Sequence, residues 1–291
     1  MKYLSKELYN EYARMHKMMP DIEGLSHPYI NSSDVLHAYF ILVDYFTDVS
    51  APDEVETMLV GLRSTDLLGS ALGRQNVSFN GVRKYTDPIE ICATLFYGLV
   101  KDHAFSDGNK RTALLILLYQ LSLFGYIPCT KVTQYEKLVL AVAANELPTK
   151  FSKEWKKFEK RKDREIQTIS YLLRRMAKRK DNSYHIAPTT KDFCEALKEA
   201  GVEYSLSSGK LHFFREEKTG FIIKLKKKPY QYAIPFNGWT RTVGPKTARE
   251  TLRALNLYDQ FASYQDLFDR QEPLYKLVDD FSVPLRRLKD E

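Results

Sequence analysis

Cysteine is scarce in this chain: three in 291 residues, Cys92, Cys129 and Cys194, at spacings that suit neither a metal site nor a disulfide framework. That scarcity, with apolar neighbours around two of the three, points to a reducing cytoplasm. Long apolar runs are missing too. Ala113–Leu118 falls far short of the roughly 20 residues that a spanning helix needs, and it stands directly behind Lys110 and Arg111, so no membrane segment is expected. The opening residues Met1-Lys2-Tyr3-Leu4-Ser5-Lys6-Glu7 lack an apolar signal core. Internal repeats and low-complexity tracts are absent as well. What is left is the composition of a soluble globular protein, 44% hydrophobic and 28% charged, long enough for two domains.

Charge is divided unevenly. Residues 1–150 hold 14 Lys and Arg against 17 Asp and Glu, so the net charge of +7 belongs entirely to the second half. Much of the excess lies in Lys153–Lys162 and Arg174–Lys180, which flank the apolar stripe Ile166, Ile169, Leu172 and Leu173. The expected element is a basic helical connector, either a solvated helix face or a contact for nucleic acid or an acidic partner.

The densest chemistry sits in His103-Ala104-Phe105-Ser106-Asp107-Gly108-Asn109-Lys110-Arg111. Upstream, Asp87 can cap a helix, Pro88 suits its first position, Glu90 completes a capping-box spacing, and Ile89, Cys92, Phe96 and Leu99 recur at helical intervals. His103 then falls where that helix ends. Downstream, the apolar stretch Thr112–Phe124, closed by Gly125, predicts a second helix starting near Asn109. The loop therefore lies on a helix N-terminus, where backbone N–H groups attract an anion and Gly108 lets the chain come close. Asp107 is placed to hold a divalent cation, because Mg²⁺ is bound by one or two carboxylates together with phosphate oxygens. Lys110 and Arg111 supply positive charge. His103 supplies an imidazole, the side chain most often used as a general base, for the proton of a hydroxyl acceptor. Together these residue types suit transfer of a phosphorus-centred group.

The nonapeptide resembles the active-site motif of the Fic/Doc (Fido) family, His-x-Phe-x-Asp/Glu-Gly/Ala-Asn-Gly/Lys-Arg, with every fixed position filled. Val60–Leu72 is similar to the segment that precedes the site in Doc-like members, His37 falls where those proteins often carry a histidine, and Phe124-Gly125-Tyr126 with Ala141–Glu146 resembles the end of the Doc fold. His37 itself is expected to be structural. The resemblance implies His103 as general base, Asp107 as Mg²⁺ ligand, Gly108, Asn109, Lys110 and Arg111 as phosphate-binding groups, and Phe105 as a buried anchor. It implies ATP and Mg²⁺ as cofactors. Lys110, where Fic-type transferases have Gly, is the Doc variant, which implies transfer of the γ-phosphoryl group to a Ser or Thr hydroxyl rather than nucleotidyl (AMP) transfer. By the same analogy the protein is a toxin whose target is a translation factor such as elongation factor Tu, restrained by an antitoxin in trans. Fic proteins often carry an inhibitory helix patterned Ser/Thr-x-x-x-Glu-Gly/Asn; no match occurs here, since Ser50–Glu54 is followed by Val55 and Glu23-Gly24 has Met19 at the hydroxyl position. Restraint is otherwise expected from the second half of the chain.

Asn76–Tyr85 places Asn80-Gly81 between alternating apolar residues, the signature of a hairpin. A hairpin at this place in Fido proteins is a flap that aligns the target segment by strand addition. Beyond Thr189 the pattern predicts helix Thr190–Ala200, strands Glu203–Leu206, Leu211–Arg215, Gly220–Lys226 and Tyr230–Pro235, and helix Pro245–Leu255. This order resembles the double-stranded-RNA-binding-like fold of HicA toxins. HicA proteins carry Gly-Ser-His, whereas Ser208-Gly209-Lys210-Leu211-His212 stands here, which argues against ribonuclease activity. A module binding RNA phosphates through Lys210, Lys224, Lys226, Lys227, Lys228 and Arg241 is expected instead. Residues 258–291 are expected to form one or two helices on the neighbouring domain.

The expected architecture is a mainly α Fido-fold helical bundle with a β-hairpin flap (1–150), a basic connector (151–185), a smaller α+β domain (186–257) and a helical tail (258–291). Nucleotidyl (AMP) transfer by the same residues is the first alternative, and a nucleic-acid-binding regulator with an inactive Fido domain is the alternative from another functional class.

Overall fold

The computed structural model describes residues 6–19, 22, 25, 28–47, 58–180, 188–216, 229–257 and 273–289. The chain forms two compact units, Met1–Lys180 together with Leu277–Glu291, and Asp181–Lys276.

The first unit contains α1 (Lys6–Met18), α2 (Ser32–Thr47), α3 (Thr65–Gly73), a hairpin of β1 (Ser78–Phe79) and β2 (Val82–Arg83), and α4 (Pro88–Lys101). It continues through α5 (Asn109–Leu123), β3 (Tyr126–Pro128), α6 (Val132–Ala143), the short α7 (Leu147–Lys150) and α8 (Ser152–Lys156), α9 (Arg164–Met176) and β4 (Ala177–Arg179). Helix α4 starts as its sequence demands: the Asp87 carboxylate accepts from the N–H groups of Ile89 and Glu90 at 3.0 and 3.2 Å, with Pro88 at the first position. Helix α5 is the core of the unit. Thr112–Leu121 is buried throughout, packed among α2, α4 and α6. Its one deep polar side chain on the far turns, Gln120, donates to Gln75 Oε1 at 2.6 Å, and Gln75 in turn clasps the Ile30 backbone through N–H and carbonyl at 3.0 and 2.9 Å. The buried Gln75 amide has its partners supplied, donating also to the Leu72 carbonyl at 3.1 Å, whereas the Gln120 Oε1 has none among the described residues.

The boundary expected at residue 150 is not where this unit ends. Residues Ile166, Ile169, Leu172, Leu173 and Met176 form a buried face of α9 that packs on α4, and β4 pairs antiparallel with β3 in the register Tyr126–Arg179, Ile127–Lys178, Pro128–Ala177. The basic residues of this stretch are the outer face of an element whose inner face completes the core. They reach back as well: Arg174 Nη2 meets Asp87 and Glu90 at 3.1 and 3.5 Å. In the tail, Leu277–Glu291 returns to the first unit with half of α12 (Pro273–Asp280) and all of α13 (Ser282–Arg287).

The second unit has the order expected for its described part: helix α10 (Thr190–Glu199), an antiparallel sheet β5 (Glu203–Ser207), β6 (Lys210–Arg215), β7 (Tyr230–Pro235), and helix α11 (Pro245–Ala254). Thr189 and Asp192 form a reciprocal capping box. The core joins Phe193, Leu197, Leu211, Phe213, Ile234, Ala248 and Leu252. Lys210 and Arg241 are exposed; the strand expected at Gly220–Lys226 and the lysines 224 and 226–228 lie outside the described residues.

Candidate active site

The hinge of the site is the junction between α4 and α5. After α4 closes at Asp102, whose N–H bonds Gly98, His103 takes φ +46° and stands exposed at the head of the loop. Left-handed backbone is uncommon for a residue with a Cβ, and here it throws the imidazole outward while the next two residues turn into the core. Ala104 and Phe105 are 3% and 1% exposed.

Two devices hold the loop. Asn109, buried on the first turn of α5, accepts from the Phe105 N–H at 2.9 Å and donates to the Phe105 carbonyl at 2.8 Å. Beside it the chain 58–64 runs as a short antiparallel companion: Leu62 bridges Phe105, Ser106 donates to the Gly61 carbonyl at 2.9 Å, and Arg63 donates to the Ala104 carbonyl at 2.7 Å. The approach is close enough that a Cβ on Gly61 would meet Ser106 Oγ at 2.6 Å. Tyr39 from α2 locks both pieces. Its ring stacks on Phe105 with centroids 4.1 Å apart, and its hydroxyl donates to the Leu59 carbonyl at 3.3 Å while accepting from the Gly61 N–H at 3.1 Å. Burial pushes that phenol up to about 12, with a smaller push from the Asp107 carboxylate, against the opposing Gly61 bond.

Gly108 makes the turn into α5 with φ +79°, and a Cβ there would lie 2.2 Å from Met58 Cε. Asp107, half-buried, accepts from Gly108 N–H and from Leu59 N–H at 3.3 Å, which fixes the carboxylate at the mouth of the helix N-terminus. One carboxylate at such a mouth fits an ion that takes its other ligands from phosphate and water.

Lys110 and Arg111 occupy the first turn of α5. Arg111 is 1% exposed, its guanidinium lies 4.4 Å from the centre of the Phe46 ring, and it donates from Nε to the Leu285 carbonyl at 2.8 Å and from Nη2 to the Arg286 carbonyl at 3.3 Å. Lys110 Nζ donates to the Lys289 carbonyl at 2.8 Å. The structure thus gathers His103, Asp107, Gly108, Asn109, Lys110 and Arg111 on one loop and helix start. His37 sits apart on α2, partly buried. Tyr39, Phe46, Met58 and the carbonyls of 285, 286 and 289 were not expected from sequence. Only Gly61, inside the segment similar to Doc-like members, carried a signal.

The Asn80-Gly81 turn has φ of +51° and +76°, and β1 and β2 pair through Ser78–Arg83 and Phe79–Val82. Phe79 and Val82 are 80% and 71% exposed. At the foot of the hairpin, Tyr85 donates to Asp163 at 3.1 Å and Lys84 lies 3.6 Å from the same carboxylate.

Among the described residues no helix is long and apolar enough to cross a membrane. No curated protein and no solved structure matches the chain. Residues 29–121 match the model of the Fic/DOC family, a stretch that runs from the start of α2 through Tyr39, Gly61, the hairpin, His103 and Arg111. Over this stretch, about a third of its length, the chain is similar to the Fic/DOC family.

Proposed function

We propose that this protein transfers the γ-phosphoryl group of ATP to a Ser or Thr hydroxyl of a target protein, the transferase chemistry of its family in the Doc variant. The observation that carries the reading is the outward-turned His103 at one end of a rigid loop whose other end is a helix N-terminus bearing Asp107, Lys110 and Arg111. His103 takes the acceptor's proton as its oxygen forms a bond to phosphorus and the bond to the departing ADP breaks. The α5 N-terminus and the two cations take up charge on the phosphate oxygens. Asp107 would hold Mg²⁺, which neutralises phosphate charge when bound. Lys110 favours γ-transfer because its ammonium adds a point charge for a terminal phosphate where a Gly would leave space. The exposed hairpin Ser78–Arg83 offers an edge to an extended target segment, translation factors being the class suggested by analogy.

The test is incorporation of label into lysate protein from Mg²⁺ and ATP labelled at the α or the γ phosphorus. Label from γ alone supports the proposal, and label from α replaces it with nucleotidyl transfer. His103→Ala should abolish incorporation and leave the melting temperature nearly unchanged, since the side chain is exposed. Incorporation from neither position, by the chain itself and by the Leu285→Asp variant described below, would refute transfer.

A further inference from the structure

The two cations that a phosphate would meet already have partners, and those partners come from the far end of the chain. Leu285, Arg286 and Lys289 belong to the last turn of α13 and the residues just past it; the helix closes at Leu288. The final carbonyls of any helix lack an intrahelical donor and point along its axis as a cluster of partial negative charge. Here two such carbonyls, of Leu285 and Arg286, are met by Arg111 Nε and Nη2 at 2.8 and 3.3 Å, and the carbonyl of Lys289, just past the helix, is met by Lys110 Nζ at 2.8 Å. They satisfy the donors that a phosphate would need, with an uncharged mimic of its oxygens.

The segment is seated by its own sequence. Phe281, Leu285 and Leu288 recur at helical spacing and are 5%, 0% and 0% exposed. Phe281 meets the Tyr135 ring edge-on at 5.8 Å, Pro284 is buried, and Arg287 lies 3.6 Å from Glu136 of α6. This apolar anchoring uses side chains other than the two cations. In chain order the segment follows the second unit, which leaves the first at Lys180 and hands the chain back at Leu277.

Resting on the reading of Lys110 and Arg111 as phosphate-binding groups, we propose that Phe281–Lys289 is a built-in competitor for the nucleotide: it occupies the anion seat with backbone carbonyls and leaves when a phosphate enters. Ionised acceptors bond a guanidinium more strongly than neutral carbonyls, so a nucleotide can win the seat, but its apparent affinity is reduced by the fraction of molecules in which the seat is open. The segment performs the task that an inhibitory helix with a blocking Glu performs elsewhere in the family, without that motif. Whatever draws the C-terminal segment away raises the affinity of the site.

The experiment measures equilibrium binding of ATP with Mg²⁺ to the full chain, to Leu285→Asp, and to Arg287→Glu, with hydrogen exchange of the amides of 281–289 followed with and without ATP. Leu285→Asp puts a charge into the apolar seat; Arg287→Glu faces Glu136 from an exposed position and leaves the core intact. The expected result is roughly tenfold or more tighter binding for Leu285→Asp, two- to threefold for Arg287→Glu, and faster exchange of 281–289 in the full chain when ATP is added. Equal ATP affinity in all three folded proteins, with exchange unchanged by ATP, would overturn the competitor and leave the nucleotide site standing. Absence of ATP binding in all three would overturn the nucleotide site, and the competitor with it.

Discussion

Asn109 holds Phe105 by both polar groups of its backbone, accepting from the N–H at 2.9 Å and donating to the carbonyl at 2.8 Å. This clasp joins the start of α5 to the middle of the loop and fixes how far His103 stands from Asp107. Asn109→Ala should cost about 2–4 kcal/mol in urea unfolding, two buried bonds lost with one donor and one acceptor left unpaired. Asn109→Asp should be as damaging, because it keeps the acceptor but sets a buried carboxylate against the Phe105 carbonyl. Either variant matching the parent midpoint would remove the clasp from the account of the site.

Gly108 and Met58 are a steric pair. Gly108→Ala is expected to lose about 1–2 kcal/mol from the φ of +79° alone, and more because its Cβ would fall 2.2 Å from Met58 Cε. Met58→Ala in the same chain should return the steric part, so that the double variant is at least about 1 kcal/mol more stable than the sum of the singles predicts. Additive thermal or denaturant data would show that Met58 does not define the turn.

Alkaline pH probes the Tyr39 lock. Its phenol is pushed up to about 12 when folded against an ordinary value near 10, so above pH 10 the unfolded chain releases a proton that the folded chain keeps. Stability from this group is complete below pH 10 and is lost as pH rises towards 12, with a contribution of roughly 1–2 kcal/mol. Tyr39→Phe removes the bridge from Leu59 to Gly61 and lowers stability at pH 8 by about 1 kcal/mol, but its decline between pH 8 and 11 should be shallower than the parent's. Parallel declines in urea titrations would contradict the assignment.

Phe79 and Val82 offer large apolar surface that the fold does not use. Replacing both by Ser should change stability by no more than about 0.5 kcal/mol. Under the strand-addition reading, transfer to a protein target should fall at least tenfold while ATP affinity stays the same. Unchanged target labelling would make the hairpin a plain surface turn.

Local signals made the centre of the first unit legible before its structure. Asp87, Pro88 and the spacing of Ile89, Cys92, Phe96 and Leu99 describe one helix end to end, and Asn80-Gly81 describes its own turn, because caps and two-residue hairpins are satisfied by neighbours in sequence. The loop His103–Arg111 was visible for the same reason: its residues act within nine positions. Less was visible in α9, where the Lys and Arg residues drew attention to the outer face although the stripe beginning at Ile166 is what packs on α4.

The sequence by itself determined the helices that bracket the loop and which polar and charged side chains stand at the start of α5. Tertiary structure alone decided what those side chains touch. Tyr39 reaches Leu59 and Gly61 across about twenty residues, and Arg111 reaches Leu285 across 174. A backbone carbonyl leaves no trace in residue identity, and every residue but proline carries the same N–H and C=O, so pattern cannot reveal which carbonyl a buried guanidinium will choose. That choice depends on where Phe281, Leu285 and Leu288 find an apolar seat, and burial of apolar surface is non-directional until the packed core gives it a shape.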